Sequence, residues 1–150
     1  MFAGQAPKHD EPWRAAAFLR AALAEYCSIE EVQKADRPSG HFKLSTSTNP
    51  LLHLLELMRH LNIHVKTVQT TSHSINVQFG QHTSDMNVYI VTDLAATDLA
   101  QLKNGKHYAL ADLGRSVDWF NSQQLHWGAG DLITQGTTLF AASLCTHYGL

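Results

Sequence analysis

Apolar residues recur every three or four positions in some stretches of this chain and alternate with polar ones in others, and the change of period divides it into elements. From Trp13 to Cys27, Ala16, Leu19, Ala22, Leu23 and Tyr26 fall on one side, with Arg14, Phe18 and Glu25 opposite, which predicts an amphipathic helix. Asp10, Glu11 and Pro12 supply its cap and first turn. Ser28 followed by Glu31 is a capping-box pattern and predicts a second short helix over residues 28–35. The turn-forming run Arg37-Pro38-Ser39-Gly40 closes this part of the chain.

Residues 41–48 alternate and are rich in Ser and Thr, predicting a strand with Phe42 and Leu44 inward. Asn49-Pro50 then opens a helix carrying LLHLLELMRHLNI, with Asn49 as its cap. Alternation and β-branched content predict strands over 63–70, 74–79 and 86–92, with Ser72-His73 at a hairpin tip. Asp93 caps an expected helix over 94–103 that Asn104-Gly105 ends, and 106–113 reads as another strand. Beyond Gly114, residues 116–127 fit a helix or an irregular segment with exposed aromatics. Gly128 to Asp131 has the composition of a turn, and residues 138–148 suit a closing helix.

The order from Gly40 to Leu113 resembles a ferredoxin-like βαββαβ unit with one extra strand, and LLELMRHLNIHVKTVQTT resembles the helix-to-strand passage of ACT regulatory domains. ACT domains place a glycine at the ligand-contacting turn before the first helix. Here Thr48-Asn49-Pro50 stands in that place, so no functional residue is carried over. The expectation is one α+β domain over 1–150, in which 1–39 form an N-terminal helical extension. Residues 40–113 would form a ferredoxin-like-type βαβββαβ unit, and 114–150 an aromatic-rich C-terminal segment. Folds of this type host enzymes, regulators and adaptors alike.

Composition narrows the function classes. At 150 residues and 16.6 kDa the chain has the size of one domain. Hydrophobic residues make up 44% and charged residues 16%, against a usual charged share of about 25%, which excludes a disordered or coiled-coil chain. A formal charge of −2 provides no basic footprint for nucleic acid. MFAGQAPKHDEPWRA lacks a signal peptide's apolar stretch and no 18-residue apolar run occurs, so a cytoplasmic protein with no membrane partner is expected. Two cysteines, Cys27 and Cys145, are too few for a disulfide framework.

Ten histidines are the compositional oddity, since protonating all of them would carry the formal charge from −2 to +8 near pH 6.5. Four polar residues of the predicted Asn49 helix, His53, Glu56, His60 and His64, project within about 80° of one another at 100° per residue. His60 and His64 have the i, i+4 spacing of helical zinc ligands, and Glu56 would add a carboxylate oxygen. They are the candidate metal set, with zinc the alternative to no cofactor. The same four also form the polar face that any amphipathic helix requires opposite Leu51, Leu54, Leu55, Met58 and Leu61.

Cys145 and His147, with His126 or Asp131, would compose a Cys/His nucleophile, although a structural cysteine on an apolar face accounts for the same pattern. Gly128-Ala129-Gly130 lacks the Lys and Ser or Thr of a phosphate loop. Trp119, Phe120, His126 and Trp127 gather large rings among polar residues and are the candidates for ligand or partner contact. The function expected is a noncatalytic binding or regulatory module that self-associates and contacts a partner protein or small ligand. The alternative is a small hydrolase or transferase using His and Asp or Cys145, with or without a metal.

Overall fold

The computed structural model describes residues 12–150. Its elements are α1 (Pro12–Asp36), α2 (Pro50–His64), β1 (Thr70–Phe79), β2 (His82–Val91), α3 (Ala96–Gln101), α4 (Leu110–Trp127) and α5 (Ala129–Tyr148), with 3-10 turns at Leu44–Thr46 and Gly105–His107. The ferredoxin-like βαβββαβ expectation is overturned: among the described residues there are five α-helices and a single two-stranded antiparallel sheet.

The first 25 described residues form one helix rather than two. Ala15, Leu19, Leu23 and Tyr26 make a continuous buried stripe that carries the helix past position 28. Ser28 does not cap; its hydroxyl donates to the Glu25 carbonyl at 2.7 Å inside the helix, while Glu31 reaches Arg59 on α2 at 3.3 Å. The helix ends before Arg37-Pro38, where the residue preceding proline is forced toward extended backbone. The expected cap at Asp10 lies outside the described residues.

Two predicted strands, 41–48 and 106–113, are absent because no neighbouring strand lies beside them to complete a ladder. In the first, Leu44 is buried in a 3-10 turn, with its N–H donated to Glu30 Oε2 at 3.0 Å and the Thr46 hydroxyl bonded to the Lys43 carbonyl. The second becomes a 3-10 turn and the start of α4, whose Leu113, Val117 and Phe120 follow helical spacing into the core. The strand expected over 63–70 is also lost, since α2 runs to His64 and β1 starts at Thr70. Ser72-His73 lies within β1, and the tip is Gly80-Gln81, where Gly80 adopts φ +61°.

The Asn49 cap holds: the Leu51 N–H donates to Asn49 Oδ1 at 3.0 Å, with Pro50 at the first helical position. α2 is the central helix, with Leu51, Leu52, Leu54, Leu55, Leu57, Met58 and Leu61 all buried. α5 begins at Ala129, well before the expected closing helix, and of the two readings of residues 116–127 the helix is the one found, as part of α4. Gly136 gives α5 its close approach to α2: a Cβ there would stand 2.2 Å from Leu55 Cδ1. One cluster of buried residues runs from Leu19 on α1 to Phe140 on α5, with Tyr26 and Phe140 rings 5.5 Å apart.

The hairpin is anchored at its base by buried amides. Val91 donates its N–H to Gln124 Oε1 at 2.7 Å and accepts from Gln124 Nε2 at 2.8 Å, so one α4 side chain closes the end of β2 as a strand would. Asn62 accepts from the Val68 N–H at 3.1 Å and donates to the Met58 carbonyl at 2.9 Å. Asp93 accepts from the Gln69 N–H at 2.7 Å, and Lys66 reaches Asp98 at 2.6 Å and Asp93 at 3.3 Å. The Asp98 hydrogen bond foremost, despite partial burial, holds the Lys66 ammonium above its usual range.

Candidate functional site

A cavity of about 520 Å³ lies where α1, the hairpin base and the α4–α5 corner meet. Small residues on α1, Ala15 and Ala22, leave the space, and Leu19, Ala129 and Ile133 floor it with side chains that belong to the core. The corner itself depends on Gly128, whose φ of +82° and ψ of 159° favour glycine almost exclusively. A Cβ there would come within 2.8 Å of Val88 Cβ, so the corner seats directly on β2. That seating places Trp127, the last residue of α4, in the lining together with Phe18 from α1. Phe18 is 73% exposed and Trp127 56% exposed, although both rings border an apolar floor. Among the lining residues only Arg14 and Asp131 carry charge, and their signs are opposite.

The four aromatic candidates separate. Phe120 is wholly buried and is a core residue. Trp127 lines the groove, while Trp119 borders a distinct 310 Å³ hollow with Pro50, Leu54 and Arg115. His126 is exposed and lines neither of these. Sequence reasoning missed Phe18 and the alanines beside it on α1, Ala15 and Ala22. An aromatic placed on the polar side of an otherwise regular amphipathic helix was the available signal.

The α2 polar face also divides. His53 turns toward the chain before α2, its Nε2 2.6 Å from the Ser47 carbonyl and its Nδ1 hydrogen-bonded to the Tyr108 hydroxyl. With Nε2–H donating to the carbonyl, Nδ1 is the acceptor and the tyrosine is the donor. Farther along the helix, Asn104 Nδ2 donates to Glu56 Oε1 at 3.0 Å and lies 3.4 Å from His60 Nε2, while the His60 and His64 rings stack at 5.9 Å. The quartet therefore does not converge on one point. Among the described residues no group of three or more His, Cys, Asp or Glu side chains is placed to hold a metal ion.

Burial, together with the charge of Glu30, raises the Glu56 carboxyl above its usual range, and burial beside Arg59 lowers the His60 imidazole. Burial raises the Tyr108 hydroxyl, with Glu56 adding to the effect. Cys27 lies in the core, where burial pushes its thiol up to about 12. Cys145 is exposed, but His147 is directed elsewhere, with Nε2 2.8 Å from the Gly40 carbonyl and its ring edge on Phe42. No described helix is long and apolar enough to cross a membrane. Comparison of the chain with protein-family models, curated proteins and solved structures finds no match.

Proposed function

We propose that the protein is a noncatalytic binding module that takes a neutral, largely apolar small molecule into the groove between α1, the hairpin base and the α4–α5 corner. The observation that carries this reading is a groove of about 520 Å³ floored by core side chains and rimmed by exposed Phe18 and Trp127. That volume lies within the roughly 300–1,000 Å³ typical of small-molecule sites. Two exposed rings offer apolar area with little rotamer entropy to lose on binding. The ligand is neutral because a single pair of opposite charges, Arg14 and Asp131, gives the lining no net sign.

The chemistry elsewhere supports binding over catalysis. A nucleophile needs its pKa depressed or a base beside it, whereas burial raises both the Cys27 thiol and the Tyr108 hydroxyl. The exposed thiol, Cys145, has its neighbouring imidazole occupied by the Gly40 carbonyl.

The test uses a neutral apolar dye, Nile red, titrated into the full-length protein with fluorescence as readout. Saturable binding of one dye per chain is expected. Phe18→Ser and Trp127→Ala each remove an exposed ring and should weaken binding about tenfold, equivalent to about 1.4 kcal/mol, while leaving the melting temperature nearly unchanged. Absence of saturable binding, or wild-type affinity in both variants, overturns the reading.

A further inference from the structure

The hairpin's two faces differ in kind. Antiparallel register sets Ile75 opposite Met86, Val77 opposite Ser84 and Phe79 opposite His82 on one face. The other face holds Ser74, Asn76 and Gln78 opposite Asn87, Asp85 and Thr83. The distal half extends beyond the amide anchors at the base, and there Phe79 is 65% and Met86 47% exposed. Among the described residues no third strand lies on either edge. A two-stranded ribbon is marginal in water, and three or more strands, or a helix beneath it, are needed for a stable sheet.

The two strands differ in the charge they carry. Proteins guard exposed edge strands against pairing with charged residues or proline. β2 carries Asp85, held at 3.1 Å by Asn76. β1 reads TTSHSINVQF, ten residues with no Asp, Glu, Lys, Arg or proline.

We propose that β1 is a self-association edge, pairing antiparallel with β1 of a second copy to make a four-stranded sheet across a two-fold axis. A two-fold axis sets residue i of one strand opposite residue j of its copy and j opposite i, so every formal charge on that strand meets a second charge of the same sign within one short ribbon. β1 has none to meet, which favours a second copy of this chain over a charged peptide and favours β1 over β2. Any antiparallel register that places odd-numbered residues opposite odd-numbered ones keeps Ile75, Val77 and Phe79 on the partner's apolar face. Ser74, Asn76 and Gln78 then face the partner's hydroxyls and amides, groups that donate and accept in both directions. The residues used are separate from the groove's Phe18 and Trp127, so the two proposals stand or fall apart.

Sedimentation velocity on the full chain, compared with two variants at one cross-strand pair, tests it. Ser74→Lys and Asn87→Lys put the same charge on the same exposed face of paired residues, one on each edge. The wild-type chain should sediment at twice the 16.6 kDa chain mass at about 100 µM. Ser74→Lys should raise the dissociation constant at least tenfold and Asn87→Lys leave it within about twofold, with circular dichroism confirming that both are folded. A purely monomeric wild-type protein, a dimer indifferent to Ser74→Lys, or equal losses from both variants would overturn the proposal.

Discussion

Two sets of polar side chains tie this fold together, and they differ in chemistry as they differ in burial. At the hairpin base, Gln124 and Asn62 are 2% and 4% exposed and bond directly to backbone groups. Along α2, the titratable Glu56 and His60 keep 15% and 27% of their side-chain surface and bond mainly to another side chain, Asn104. Neutral amides stand where water is excluded, and ionisable groups stand where some remains. The reason is the cost of burying charge: a desolvated amide with its partners satisfied is nearly neutral to stability, whereas an ionised group in the same place is not. The two amides at the hairpin base should therefore act strongly and be indifferent to pH, and the α2 face be weak and responsive to it.

The severest way to break that contrast is to exchange the two chemistries. Gln124→Glu keeps the shape but puts a carboxylate against the Val91 carbonyl, where Nε2 now donates at 2.8 Å. At pH 7 the variant should lose about 3–5 kcal/mol in denaturant unfolding. The buried acid would titrate above the ordinary 4.3, and its protonated form regains an O–H donor. The folded state then binds the extra proton, so stability should recover as pH falls toward 5. A loss below about 1 kcal/mol would mean that the site is wet.

A milder change sharpens the comparison at the second amide. Asn62→Leu removes the acceptor for the buried Val68 N–H and the donor to the Met58 carbonyl. The Met58 carbonyl sits within α2 and keeps other bonding, but the Val68 N–H is left without its partner. The expected cost is about 1–3 kcal/mol, flat between pH 8 and 5, read from urea unfolding midpoints. A cost that varies steeply with pH would show that Asn62 is coupled to a titrating group and would erase the distinction between the two sets.

The amides explain why the fold was only partly legible in the sequence. Helix α2 announces itself through Asn49-Pro50 and seven buried apolar residues, and β-branched alternation locates much of β1 and β2. Alternation alone cannot say whether a strand has a neighbour, and residues 41–48 and 106–113 lack one. Gln124 does for β2 what an additional strand was expected to do, and a lone glutamine in a polar stretch of α4 carries no periodic signal. Likewise, Trp127 was legible as an exposed ring, but Phe18, Ala15 and Ala22 acquire meaning only when α1 passes the α4–α5 corner. The polar quartet on α2 shares a face, yet angular proximity does not bring four groups to one point, because His53 is drawn to Ser47 and Tyr108.

The smallest expected effect lies on that α2 face and depends on sign. Burial, the positive charge of Arg59 and the stacked His64 lower the folded imidazole of His60 below 6.5, with Glu31 opposing them. In the window between the two values the unfolded chain binds more protons, so this contribution is complete above pH 6.5 and is lost as pH drops through the window. Glu56 acts oppositely: burial and Glu30 raise its folded carboxyl above 4.5, so the folded state binds more protons there and gains stability as pH falls toward 4.5. The wild-type protein should show a shallow loss below pH 7 followed by a partial recovery. His60→Gln should remove the loss and keep the recovery, and Glu56→Gln should do the reverse, both read from chemical unfolding midpoints between pH 7.5 and 4.5. Were both variants to retain the wild-type profile, the titrating groups would lie elsewhere among the ten histidines, and the α2 face would be as indifferent to pH as the amides at the hairpin base.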